Sequence, residues 1–162
     1  MKKVILLVLI MVFTFTLCGC KKSTDMDYLK SLTQQNIFTQ KEEKYFVFFY
    51  RDDCSGCEET KPYIINYWNA VNNGAYQGKR QIYGVNISNE KNAKIYRKYA
   101  GTGGQGTDGA YFVDGVSQWD KLYIGSTPSL ISIYEKDGVR YAKYQAQGKD
   151  AILEVLNNYL AN

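Results

Sequence analysis

The chain has 162 residues, 45% of them hydrophobic and 22% charged, with only 2 prolines, which excludes a disordered or collagen-like polypeptide and fits one globular domain. Histidine is absent, so Ser-His-Asp hydrolysis, Cys-His proteolysis and any zinc site built on imidazole are excluded. The formal charge is +4 from 20 basic and 16 acidic residues, too weak to suggest a nucleic-acid partner.

The first element is an address. Lys2 and Lys3 precede an apolar run from Val4 to Leu17 that ends in small residues, the pattern of an export signal, and the run is too short to span a bilayer comfortably. Leu17-Cys18-Gly19-Cys20 resembles a bacterial lipobox, in which the final cysteine receives a diacylglycerol on sulfur and becomes the mature N-terminus. The resemblance implies lipidation at Cys20. Cys18 fits badly, because bulky Leu17 would precede the cleaved bond where a small residue is required. An ordinary secretory signal with Cys20 free is the alternative. Two acyl chains at about 0.8 kcal/mol per buried methylene hold a protein firmly at a membrane. The expected location is therefore the outer face of the bacterial cytoplasmic membrane, on a polar tether over about 21–27.

Met26 to Ile37 carries Tyr28, Leu29, Leu32 and Ile37 among polar neighbours, which predicts an amphipathic helix. No convincing first strand precedes it, so the edge strand of the sheet is expected to be short or lost. Lys44 to Tyr50 is a run of aromatic and β-branched residues that predicts a buried central strand. The loop Arg51-Asp52-Asp53 follows. Cys54-Ser55-Gly56-Cys57 then opens a segment with Ile64, Ile65, Trp68 and Val71 on one helical face, which puts the cysteine pair at a strand-to-helix junction.

With Cys20 acylated and Cys18 removed with the signal, Cys54 and Cys57 are the only thiols of the folded domain. Two thiols without histidine supply half of a zinc site, so zinc would need carboxylates or a second chain. Outside the membrane, thiols this close would oxidise to a short-loop disulfide. Such a loop constrains the unfolded chain little, so stability is a poor reason to build it, and reactivity is the better one. A helix N-terminus favours the thiolate, the attacking form of cysteine. Cys54, earlier and more exposed, is the candidate nucleophile. Cys57, one turn inside, is the candidate resolving thiol.

Gln81 to Ile87 predicts the next strand. About forty residues then separate it from Pro128. Asn89 to Tyr99 is a candidate charged helix, whereas the glycines between Gly101 and Gly109 cannot sustain regular structure. A nucleotide-binding loop is rejected there, because no apolar strand leads into it and the Lys-Ser/Thr ending of a P-loop is missing. Tyr111-Phe112-Val113 and Trp119 add apolar surface close in sequence to Pro128, expected to border the disulfide and select partners. Ser129 to Tyr134 and Val139 to Tyr144 flank the turn Lys136-Asp137-Gly138, predicting a hairpin. Gly148 precedes a closing helix with Ile152, Val155, Leu156, Tyr159 and Leu160 on one face.

A strand, a C-x-x-C pair, a helix with Pro62 five positions after Cys57, a Thr127-Pro128 step ahead of a hairpin, and a final helix together resemble the thioredoxin superfamily. The resemblance implies an α/β thioredoxin-like fold over 28–162, with a central mixed sheet flanked by helices and an insertion over about 89–126. It implies that Thr127 and Pro128 form a cis-proline loop beside the disulfide that pairs with substrate backbone, and that Pro62 is structural. It also implies thiol-disulfide exchange with exported proteins or peptides, sustained by a redox partner. No organic cofactor or metal is required, because the electrons reside in the cysteine pair. Thioredoxin-like accessory proteins of bacteriocin export are a similar group, and a lipoprotein that keeps the fold for binding or secretion alone is the non-catalytic alternative.

Two positions depart from the family pattern. Asp53 stands where thioredoxins usually carry tryptophan, and Phe48 where they carry a buried acid that assists proton transfer. Asp52, Asp53, Glu58 and Glu59 crowd the pair with negative charge, offset in part by Arg51 and Lys61. Each charge at about 8 Å contributes roughly 0.5 kcal/mol in water, comparable to the 0.3 to 1 kcal/mol of an exposed helix terminus. The acids thus oppose the helix, which predicts a disulfide less oxidising than the strong periplasmic oxidants.

Overall fold

The computed structural model describes residue 26 and residues 29–73, 76–96 and 113–162. The export signal, Cys20, the tether apart from Met26, the glycine run from Gly101 to Gly109, and Tyr111 and Phe112 lie outside the described residues.

Strand β1 (Lys44–Tyr50) is buried at every position after Lys44, the expected fate of an unbroken apolar run covered on both faces. It leads into α1 (Ser55–Asn72), then β2 (Gln81–Asn86), β3 (Ser129–Lys136), β4 (Val139–Gln147) and α2 (Lys149–Ala161). The four strands form one mixed sheet in the order β2-β1-β3-β4. β1 runs parallel to β2, with Tyr50 opposite Asn86, and antiparallel to β3, with Phe49 opposite Ser129. β3 and β4 form the expected hairpin, closed at Asp137 and Gly138 with φ of 54° and 74°. Two successive positive φ values make the type I′ turn whose twist matches that of paired strands.

Alternation along β1 divides the core in two. Phe46, Phe48 and Tyr50 face the helices and pack with Ile64, Tyr67 and Val71 of α1 and with Ile152 and Leu156 of α2. Tyr45, Val47 and Phe49 face the other way and meet Val85, Ile131 and Ile133. That second face is covered by Leu32, Ile37, Ile95, Val113, Leu122 and Ile124, all from irregular segments. Each large side chain buried this way contributes about 1.5 to 3 kcal/mol.

Among the described residues 29–37 the predicted amphipathic helix of Met26 to Ile37 is not formed. Ser31 instead makes a parallel bridge to Gly84, with Leu32 N donating to Gly84 O at 2.7 Å and Gly84 N to Lys30 O at 3.1 Å. Only a short 3-10 turn, Gln34–Asn36, follows. Leu29 and Leu32 belong to opposite faces of the sheet, so their apolar spacing records a chain crossing the sheet edge rather than one helical stripe. The chain crosses close over Gly84, where a Cβ would stand 2.9 Å from Leu29 Cδ2 and 3.3 Å from Tyr50 Cε1, so a side chain there would push the leucine tip aside. The expectation of a short edge strand holds, since the strand is reduced to this bridge.

In the described part of Asn89 to Tyr99 the predicted helix is likewise replaced by a 3-10 turn, Glu90–Asn92. The physical reason is Asn92, which is buried and spends its amide on backbone. Its Oδ1 accepts from Gln34 N at 2.7 Å, and its Nδ2 donates to Asn86 O at 2.9 Å and Leu32 O at 3.3 Å. Val113, expected beside the disulfide, packs on the sheet face away from both cysteines. No helix among the described residues is long and apolar enough to cross a membrane.

Candidate active site

β1 delivers the chain to Arg51, and a loop through Asp53 turns it into α1. Cys54 is the N-cap of that helix, with extended φ and ψ of −137° and 102°, and its Sγ accepts from Cys57 N at 3.1 Å. Its carbonyl takes the Cys57 and Glu58 amides, both at 3.0 Å. The Cys57 amide is thus shared between the sulfur and the carbonyl of Cys54, and the sulfur stands where serine or aspartate usually caps a helix. Cys54 and Cys57 are disulfide-bonded with Cα atoms 5.1 Å apart. Cys57 is 0% exposed and Cys54 9%, so Cys54 is the one of the pair that meets solvent, though most of its surface is covered.

The chain ahead of β3 supplies that cover. Thr127 brings its carbonyl oxygen and its Oγ1 each to 3.6 Å from Cys54 Sγ. The Thr127-Pro128 peptide is cis, and the buried Pro128 ring lies against Gly56 between the two cysteines. The fold thus brings together Cys54, Cys57, Thr127 and Pro128, which the sequence places seventy residues apart. Pro62 is inside α1 and exposed, where it removes a helix hydrogen bond. Thr60, which drew no attention in the sequence, is fully buried and donates from Oγ1 to Gly56 O at 2.6 Å, one turn behind the disulfide. A Thr four residues after the glycine of a C-x-x-C motif was the available signal.

The surrounding charges are more evenly paired than their sequence order suggests. Glu58 pairs with Lys61, and Glu59 pairs with Lys149 of α2 at 2.9 Å. The Glu59 hydrogen bond and charge push the exposed Lys149 ammonium above its ordinary value. Asp52 Oδ1 accepts from Asn86 Nδ2 at 2.8 Å, while its amide donates to Ser88 Oγ at 3.0 Å. Lys149 thus adds a second paired counterion to the acidic cluster around the disulfide, beside Lys61. Lys149 is a counterion ninety residues away in the chain, invisible to local charge counting. Lys61 also stands 5.2 Å from the Tyr50 ring centroid, close enough for a cation-π contact.

Phe48 is fully buried with Cys57 and stacks on Tyr50 at 5.7 Å between centroids. The buried polar side chains among the described residues are Gln34, Gln40, Thr60, Asn92, Ser129 and Ser132, none of them acidic. The helix-side core behind the disulfide therefore has no carboxylate to hold a proton.

No protein-family model and no curated protein sequence matches this chain. The fold and site define an α/β protein whose C-x-x-C cysteines lie at disulfide distance at the N-terminus of a helix, an arrangement compatible with redox chemistry.

Proposed function

We propose that the chain is a thioredoxin-like thiol-disulfide oxidoreductase that works outside the cytoplasmic membrane, anchored through a lipidated Cys20. The observation that carries the proposal is the contact of Cys54 Sγ with Thr127, beside Pro128 and at the head of α1. In the reducing direction the Cys54 thiolate attacks one sulfur of a substrate disulfide and expels the other as a thiolate. The Cys57 thiolate then attacks Cys54 and releases the second substrate thiolate. Two electrons pass to the substrate, which takes up two protons, and the Cys54-Cys57 bond is re-formed. Oxidation of a substrate dithiol is the same sequence reversed. Thr127 and Pro128 line the approach to Cys54 and position the substrate peptide. A second redox protein resets the pair between turnovers.

Replacing Cys57 by serine removes the resolving thiol. Cells expressing Cys57→Ser are expected to accumulate exported proteins disulfide-linked to Cys54, reversible by dithiothreitol and lost in the Cys54→Ser, Cys57→Ser double variant. Complete absence of such adducts would instead identify a lipoprotein that only binds. The anchor is checked separately: mass spectrometry should find the mature chain beginning at an acylated Cys20, and Cys20→Ala should release the protein from membranes.

A further inference from the structure

We propose that Arg51 makes the protein select substrates with an acidic side chain next to the cysteine that exchanges with Cys54. The inference rests on the exchange activity proposed above and adds a substrate class to it. Glu58, Glu59, Lys61 and Lys149 around the disulfide are committed to one another, and Asp52 is held by the Asn86 amide. Arg51 is different. Among the described residues it has no carboxylate partner, its buried Nε has no acceptor, and its Nη1 reaches only the Tyr96 hydroxyl at 3.3 Å.

The guanidinium is nevertheless fixed in place. It stands 5.8 Å from the Tyr96 ring centroid, and Tyr96 is bridged in parallel to Ile124, with Ile124 N donating to Ile95 O at 3.1 Å. Ile124 is three residues before Thr127, which touches Cys54 Sγ, and Arg51 is three residues before Cys54 on the other strand of chain. The two segments that frame the reactive sulfur thus meet again at Arg51 and Tyr96. A half-buried guanidinium held through a phenol and an aromatic face keeps free N-H groups in a planar fork, the geometry that receives a carboxylate in paired hydrogen bonds. Partial burial makes that pair stronger than a fully exposed one. Asp53 is exposed and opposes an acidic ligand only through water, so the preference belongs to the side chain that reaches Arg51 and not to the substrate's net charge.

Three disulfide peptides identical except for Glu, Gln or Lys beside the reactive cysteine provide the test. The wild-type chain is expected to favour Glu over Gln about tenfold in kcat/KM, mostly through KM, as a charge-assisted hydrogen bond implies. Lys should be the poorest of the three, and the Glu preference should shrink at high salt. Arg51→Gln should erase the preference while keeping the rate on the Gln peptide, and Arg51→Lys should keep part of it. Equal rates for Glu and Gln in the wild-type chain would overturn the proposal with no variant needed, as would a Glu preference that survives Arg51→Gln. Failure to turn over any peptide, together with no adducts in Cys57→Ser, would overturn the exchange activity itself and this inference with it.

Discussion

Pro128 lies so close to Gly56 that a Cβ at position 56 would stand 3.3 Å from the proline Cδ. The second of the two residues between the cysteines and the residue ahead of β3 are thus packed face to face. Any side chain at position 56 acts on the Pro128 loop, and through it on Thr127 and the Cys54 sulfur.

Gly56→Ala should leave stability almost unchanged, because relief of up to about 1 kcal/mol of glycine helix cost offsets a contact a few tenths of an ångström too tight. Gly56→Leu cannot be accommodated so easily and should cost about 1 to 3 kcal/mol by overpacking. Urea unfolding of both variants checks this. Equal midpoints for Leu and Ala would show that the Pro128 loop yields freely.

Thr127 Oγ1, 3.6 Å from Cys54 Sγ, is placed to steady that sulfur when the disulfide opens. Thr127→Val keeps the shape and deletes the hydroxyl. Alkylation of reduced Cys54 by iodoacetamide at neutral pH should slow about two- to tenfold, the kinetic counterpart of roughly 0.5 to 1.5 kcal/mol for one hydrogen bond. An unchanged rate would show that the hydroxyl plays no part.

Asn92 ties three backbone groups in two segments, at Leu32 and Gln34 in one and Asn86 in the other. Asn92→Ala leaves those buried groups without partners and should destabilise the fold by about 2 to 4 kcal/mol. Asn86 also holds Asp52, so the loop before Cys54 should lose order at the same time. Faster amide exchange at Leu32, Gln34 and Asp52 in a marginally stable but folded variant is the expected signature; loss confined to Leu32 and Gln34 would break the link to the active-site loop.

Three buried tyrosines set the alkaline limit. Burial pushes Tyr45 from 10.0 to about 12, burial and the nearby Tyr159 raise Tyr67, and burial with the Glu42 hydrogen bond raises Tyr83. The folded state therefore holds more protons than the unfolded one above pH 10. The stabilisation is present in full below pH 10 and is lost progressively above it, the Tyr45 share by about pH 12 and the Tyr67 and Tyr83 shares at higher pH. Urea midpoints should be flat between pH 8 and 9.5 and fall steeply beyond 10, with Tyr45→Phe flattening part of that fall. A midpoint independent of pH up to 11.5 would contradict it.

Much of the scaffold was legible because its signals are local. Lys44 to Tyr50 declared a buried strand by composition, and Lys136-Asp137-Gly138 declared a hairpin by turn chemistry. Cys54 declared the start of a helix by the apolar spacing that follows it. The failures share one cause. Leu29 and Leu32 have helical spacing yet point to opposite faces of the sheet, and Val113 is close in sequence to Pro128 yet fills the far core. In each case the deciding partner, Gly84 or the opposite sheet face, is distant in the chain.

The four strands, the helices that begin at Ser55 and Lys149, the spacing of the two thiols and the absence of histidine were settled by the amino acids alone, since propensity, periodicity and elemental chemistry need no neighbours. Tertiary structure decided what surrounds the sulfurs: Pro128 against Gly56, Lys149 answering Glu59, and an Arg51 without an acidic partner among the described residues. Packing contacts and Coulomb energies depend on distance through space, and only a folded chain fixes those distances.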